Sequence, residues 1–108
     1  MLLIRLDEPE WDISTAGKLR ERLASASRES SVVIDLSNVT YIDSSCLSIL
    51  MAMYQERVIK KHFAAAHLAA PPYAVRRLFQ ITGFDALWPV HERIEDAMKA
   101  AQAEDTSL

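Results

Sequence analysis

The run Val32-Val33-Ile34-Asp35-Leu36 gives way to Ser37-Asn38, then to Asp43-Ser44-Ser45, then to an apolar-periodic segment from Leu47. An unbroken β-branched run suits a strand buried on both faces, and Asp and Ser are preferred helix N-caps. The stretch Val32 to Leu50 therefore reads as strand, loop and capped helix. With a helix just before it, the strand is expected to be parallel to its neighbour. The helix start gathers one carboxylate and two hydroxyls where backbone N–H groups lack intrahelical partners. The positive end of the macrodipole also favours an anion there, so a serine carrying a phosphate fits the position.

The flanking segments fill in an α/β pattern. Leu2 to Leu6 reads as a first strand, and Asp7-Glu8-Pro9 interrupts it before a renewed extension through Trp11 and Ile13. Ser14 or Thr15 offers an N-cap to a helix whose inner face is Ala16, Leu19, Leu23 and Ala26, ended by the polar segment Ser25 to Ser31. After Ser44, one stripe comprises Leu47, Leu50, Met51, Tyr54 and Val58, and an adjoining one Cys46, Ile49 and Met53. Their joint arc of roughly 200° exceeds the ~100° that a one-sided core helix needs. Part of this helix is either covered by a neighbouring element or left for a partner.

His62 to Ala70 is ambiguous, since its alanines favour helix while a short, tightly packed buried strand competes. Pro71-Pro72 resets the chain, and Val75, Leu78, Phe79 and Thr82 form the face of a helix stopped by Gly83. Phe84 to Val90 is compatible with a short edge strand. Ile94, Ala97, Met98 and Ala101 make a last amphipathic helix, and residues 104–108 are expected to be a flexible tail.

At 108 residues, half of them apolar, the chain is expected to be one domain. A net charge of −3 argues against nucleic-acid binding. One cysteine excludes an internal disulfide, and no Cys/His spacing resembles a zinc site. Met1 to Leu6 is too short for a signal peptide core and no apolar run approaches a membrane span, so a cytoplasmic location without membrane insertion is expected. With two glycines, neither a dinucleotide fingerprint nor a P-loop can be built, and no cofactor is expected. Ser44 or Ser45 as a hydrolase nucleophile would need a base and a nucleophile elbow that the sequence lacks, so no catalytic residue is assigned. Taken alone, Asp43-Ser44-Ser45 can be simply a helix cap.

The stretch VVIDLSNVTYIDSSCLSIL resembles the central signature of the STAS domain, the family of bacterial anti-sigma factor antagonists and of the cytoplasmic domains of sulfate transporters. Glu10 to Ala16, Ala70 to Phe79 and Thr82-Gly83-Phe84 extend the resemblance over nearly the whole chain. It implies a small mixed β-sheet flanked by about four helices, with His62 to Ala70 as a central strand after a helix ending near Lys61. It also implies phosphorylation of the hydroxyl residue after the motif aspartate Asp43: Ser44, with Ser45 as second choice. The implied partner is an anti-sigma factor serine/threonine kinase, bound at Asp43, Ser44 and Ser45 while Ser44 is unmodified, so that a sigma factor is freed. From the helix itself, Cys46, Ile49 and Met53, within reach of that end, are the candidates for the apolar contact with it. Self-association as a homodimer stays open. The alternative is a STAS module without a switch, binding a nucleotide or lipid or scaffolding a larger complex. The sequence departs from the family at Cys46, where glycine is common, and before the strand at His62, where a glycine-rich turn is usual. Cys46 is weighed as a packed residue against a redox-sensing thiol.

Overall fold

A computed structural model describes residues 1–106. In chain order the elements are β1 (Leu2–Arg5), β2 (Glu10–Trp11), α1 (Ala16–Leu23), β3 (Val32–Asp35), β4 (Tyr41–Ile42) and α2 (Ser44–Tyr54). They continue with β5 (His67–Ala69), α3 (Tyr73–Thr82), α4 (Phe84–Leu87), β6 (Val90–His91) and α5 (Ile94–Thr106). All four residues of β3 are buried, as its unbroken β-branched run requires. The main sheet has the order β1-β3-β5-β6, and β2 pairs with β4 in a separate ribbon. Every pairing among the described residues is parallel, so the α/β architecture is as expected while its sheet is parallel rather than mixed. Helical crossovers between successive strands of the main sheet return the chain to the same end each time, which parallel pairing demands.

Alternation along the strands separates two cores. Val32, Ile34 and Leu68 join Leu19, Leu23, Leu50 and Phe79 in the larger core under α1, α2 and α3. Val33 and Ala69 point the other way and meet Ala97 and Ala101 of α5.

Several boundaries differ from the sequence expectation, each for a local reason. Strand β2 ends at Trp11, and Ile13 lies in a turn, 81% exposed. Thr15 occupies the N-cap position of α1 without a side-chain cap bond; its Oγ1 instead accepts from the Asp12 N–H at 2.8 Å. The first helix tightens into a 3₁₀ segment over Ala24–Arg28, which carries Ala26 into the core. Of His62 to Ala70, only His67–Ala69 forms the central strand. Phe84 to Leu87 is a helical turn rather than a strand, because i,i+4 spacing stacks Phe84 and Trp88 with centroids 6.3 Å apart, next to Phe79 at 5.8 Å. Gly83, at φ +80°, reverses the chain into that turn. The expected tail is helical as far as Thr106, held where His67 Nε2 meets Glu104 Oε1 at 2.9 Å; Ser107 and Leu108 lie outside the described residues.

Beyond Tyr54, α2 runs on as a π-helical segment over Gln55–Lys60, with the Lys61 N–H bonded to the Glu56 carbonyl five residues back. The extra residue per turn shifts the phase. Arg57 is thereby buried, and Ile59 is left 62% exposed.

Candidate functional site

The loop leaving β3 leads into α2 at the carboxyl end of the strand, the end of a parallel sheet where ligands and partners approach. Asp43 caps the helix with extended backbone, φ −99° and ψ 179°. Its Oδ1 accepts from the Ser45 N–H at 3.0 Å, the Ser45 hydroxyl at 2.5 Å and the Cys46 N–H at 3.3 Å. The Ser45 hydroxyl, joined by these N–H groups, holds the Asp43 carboxyl below its usual range, against some burial and the repulsion of Asp12.

The two serines are thus unequal. Ser45 is half-buried and its hydroxyl is committed to Asp43. Ser44, first residue of α2, is exposed, and only its carbonyl is engaged, accepting from Ser48 Oγ at 3.0 Å. From Ser44 the outer face of the helix continues through Leu47, Ser48, Met51 and Gln55, which with Ala52 and Phe84 line an open groove.

The turn before α1 is fastened to this helix start. Asp43 donates its N–H to the Trp11 carbonyl at 3.0 Å, and the Cys46 thiol donates to the Asp12 carbonyl at 3.5 Å. The Asp12 carboxylate holds its own turn through the Ser14 hydroxyl at 2.5 Å and the Ser14 N–H at 2.9 Å. Ile13 on this turn and Tyr41 on β4 stand exposed beside the site.

The structure brings Asp43, Ser44 and Ser45 together but turns Cys46, Ile49 and Met53 inward. At about 100° per residue, Cys46 and Met53 lie roughly 200° and 180° around the helix from Ser44, which puts them in the core when Ser44 faces solvent. Ile49 keeps only an edge, in a shallow groove with Arg20, Ser45, Ser48 and Ala52. The apolar side chains on the Ser44 side are Leu47 and Met51, and the spacing i, i+3, i+7 counted from Ser44 is the signal that finds them. Both questions about the wide apolar arc thus have an answer: its inner half is covered, and its Leu47–Met51 edge borders an open groove. Burial pushes the Cys46 thiol above its ordinary value, only partly offset by Ser45, the opposite of what a redox-sensing thiolate needs.

Among the described residues there is no group of three or more His, Cys, Asp or Glu side chains that could hold a metal ion, and no helix long and apolar enough to cross a membrane.

The family model for the STAS domain matches residues 1–97, and the chain belongs to that family. Its fold is similar to that of an anti-sigma factor antagonist from Mycobacterium paratuberculosis, at 27% identity and TM-score 0.77, covering 94% of this chain and 86% of the other. A Thermotoga maritima protein with the proposed role of anti-sigma factor antagonist matches at 18% identity and TM-score 0.77, over 93% and 87% of the two chains. An anti-sigma-factor antagonist (STAS) domain protein from Planctomyces limnophilus matches at 21% identity and TM-score 0.72, over 94% and 98%. At such identities the last two bear on the fold alone. A comparison with curated protein sequences finds no match.

Proposed function

We propose that this STAS protein is a non-enzymatic, cytoplasmic anti-sigma factor antagonist. In this reading it binds an anti-sigma factor serine/threonine kinase while Ser44 is unmodified and releases it on phosphorylation of Ser44. The observation that carries the reading is the exposed, uncommitted Ser44 hydroxyl at the start of α2, set beside a neighbour whose own hydroxyl is taken up by Asp43. A kinase can reach the first oxygen without breaking a bond, whereas Ser45 would have to leave its cap.

Phosphorylation adds ~1.5 to 2 negative charges, which the N-terminus of α2 tolerates. The same charge stands next to Asp43, whose carboxylate is already repelled by Asp12, and at the mouth of the Leu47–Met51 groove. A partner packed there loses apolar contact and must desolvate a dianion, so the switch acts on the interface and leaves the fold intact. Ser44→Asp is expected to weaken kinase binding by roughly tenfold or more, and Ser44→Ala to preserve it, in calorimetric titrations. Incubation with the kinase and ATP should add one phosphate, mapped to Ser44 by mass spectrometry. Equal affinities for the two variants would sink the proposal, as would a phosphate placed elsewhere.

A further inference from the structure

The sheet face turned away from α2 carries titratable side chains that the Ser44 switch does not use. His67 of β5 is buried; its Nε2 lies 2.9 Å from Glu104 Oε1 of α5, and its Nδ1 lies 2.9 Å from Nε2 of His91 on β6. The chain of bonds ties two strands to the C-terminal turns of α5. The rest of that seat is thin. Its buried residues are Val33, Ala69, Ala97 and Ala101, with Ile94 and Met98 at the margin and the Ser31 hydroxyl donating to the Ala101 carbonyl at 2.8 Å. Alanines bury little apolar area, so the hydrophobic term holding α5 is small and the polar contacts weigh more.

Proton counting shows what these contacts tolerate. A carboxylate only accepts, so His67 Nε2 carries a hydrogen, the Nδ1 of neutral His67 accepts, and His91 Nε2 donates to it. One added proton is accommodated: His67 becomes an imidazolium facing Glu104, and His91 changes tautomer to accept from Nδ1–H. A second proton is not, because it sets N–H against N–H at 2.9 Å between two cations.

The surrounding charges do not relieve that conflict. On α5, Asp96 favours the charged form of His91, but burial and His67 outweigh it and hold His91 below its ordinary value. Glu104 also lies in the field of Arg57. Asp35 of β3 is paired with Arg5 of β1, and Asp105 with the Met1 amino group. Glu92 before α5 is paired with Arg76, and Arg93, Glu95 and Lys99 are exposed.

We infer that His67, His91 and Glu104 form a proton-operated clasp that frees the C-terminal turns of α5 from the sheet on acidification. The device is independent of Ser44, which lies beyond the opposite face.

Hydrogen exchange of the full chain, read by mass spectrometry at about pH 7.5 and about pH 5 and corrected for intrinsic exchange, tests it. Amides from Ala97 onward should lose protection by up to about tenfold per pH unit for each proton taken up on opening, while those of α2 keep theirs. His91→Gln, which can still donate to His67 Nδ1 but does not titrate, should flatten the response. Equal loss in α5 and α2, or an unchanged slope in His91→Gln, overturns the proposal. Should that variant not fold, imidazole resonances of the unmodified protein decide: coupled, stepwise titration of His67 and His91 supports the clasp, and two independent single-site curves overturn it.

Discussion

At the scale of single residues, the two departures from the family pattern have different consequences. Cys46 replaces a common glycine, yet its side chain is directed into the core against the Asp12 carbonyl. It joins the α1 turn to α2 and adds nothing to the exposed face that carries Ser44. His62 has no such compensation. It sits at φ +59° in the connection before β5, where relatives usually have a glycine-rich turn. A Cβ in the left-handed region costs about 1 kcal/mol, part of which glycine returns by its freedom in the unfolded chain. His62→Gly should therefore stabilise the protein by roughly 0.5 kcal/mol, read as a higher urea midpoint at unchanged slope. A lower midpoint would show that the imidazole makes up for the strain.

At the scale of elements, the legible parts were those with a local cause. Val32 to Asp35 announces itself by β-branching, Asp43 by its place before an apolar-periodic run, and α3 by Pro72 and Gly83 at its ends. The capped helix start could be read because it depends on neighbours in sequence, whereas nothing local distinguished Ser44 from Ser45, a choice that only the family resemblance implied. Which stripe of α2 faces the sheet could not, because two adjoining stripes fit a helical wheel equally well and only tertiary contact chooses between them. The α4 turn was hidden for a similar reason: seven mostly apolar residues carry no decisive period.

The π segment was hidden as well, since its phase shift serves a distant contact. Arg57, turned inward there, donates to the carbonyls of Ala26 at 2.6 Å, Ser30 at 3.2 Å and Ala64 at 2.9 Å, and also to that of Glu29. One side chain thus satisfies the end of the 3₁₀ segment and the approach to β5. Arg57→Ala leaves several acceptors unpaired at about 1–3 kcal/mol each where water cannot reach, so a loss of about 3 kcal/mol is expected in urea unfolding. Arg57→Lys, with one nitrogen in place of a fork, should recover only part of it. A loss below about 1 kcal/mol for Arg57→Ala would mean that water replaces the guanidinium.

At the scale of the whole molecule, acid should act on two sets of groups in turn, a histidine in the α5 seat and the carboxylates at the strand ends and helix starts. His91 is held below its ordinary value, so the unfolded chain takes up that proton first and stability falls as pH drops below about 6.5. The carboxylates act lower. For Asp35, burial pushes the pKa up, but the Ser37 N–H at 2.9 Å and Arg5 Nε at 3.0 Å outweigh it and leave the group below its ordinary value. Asp43 and Asp12 are lowered as well, chiefly by the hydroxyls of Ser45 and Ser14. Groups lowered in the folded state stabilise it above their unfolded values, and that contribution disappears as pH falls through the folded ones. Both classes have the same sign, so the melting temperature should fall with acid in two separated stages, one beginning near pH 6.5 and one below about pH 4. In calorimetric scans across pH, His91→Gln should remove the upper stage and keep the lower. Asp35→Asn, which retains an oxygen for the Ser37 N–H, should weaken the lower stage and leave the upper. A melting temperature that stays level from about pH 7.5 to about pH 5, or an Asp35→Asn variant that loses the upper stage, would refute this division, because the upper stage would then not belong to His91 independently of the strand-end carboxylate.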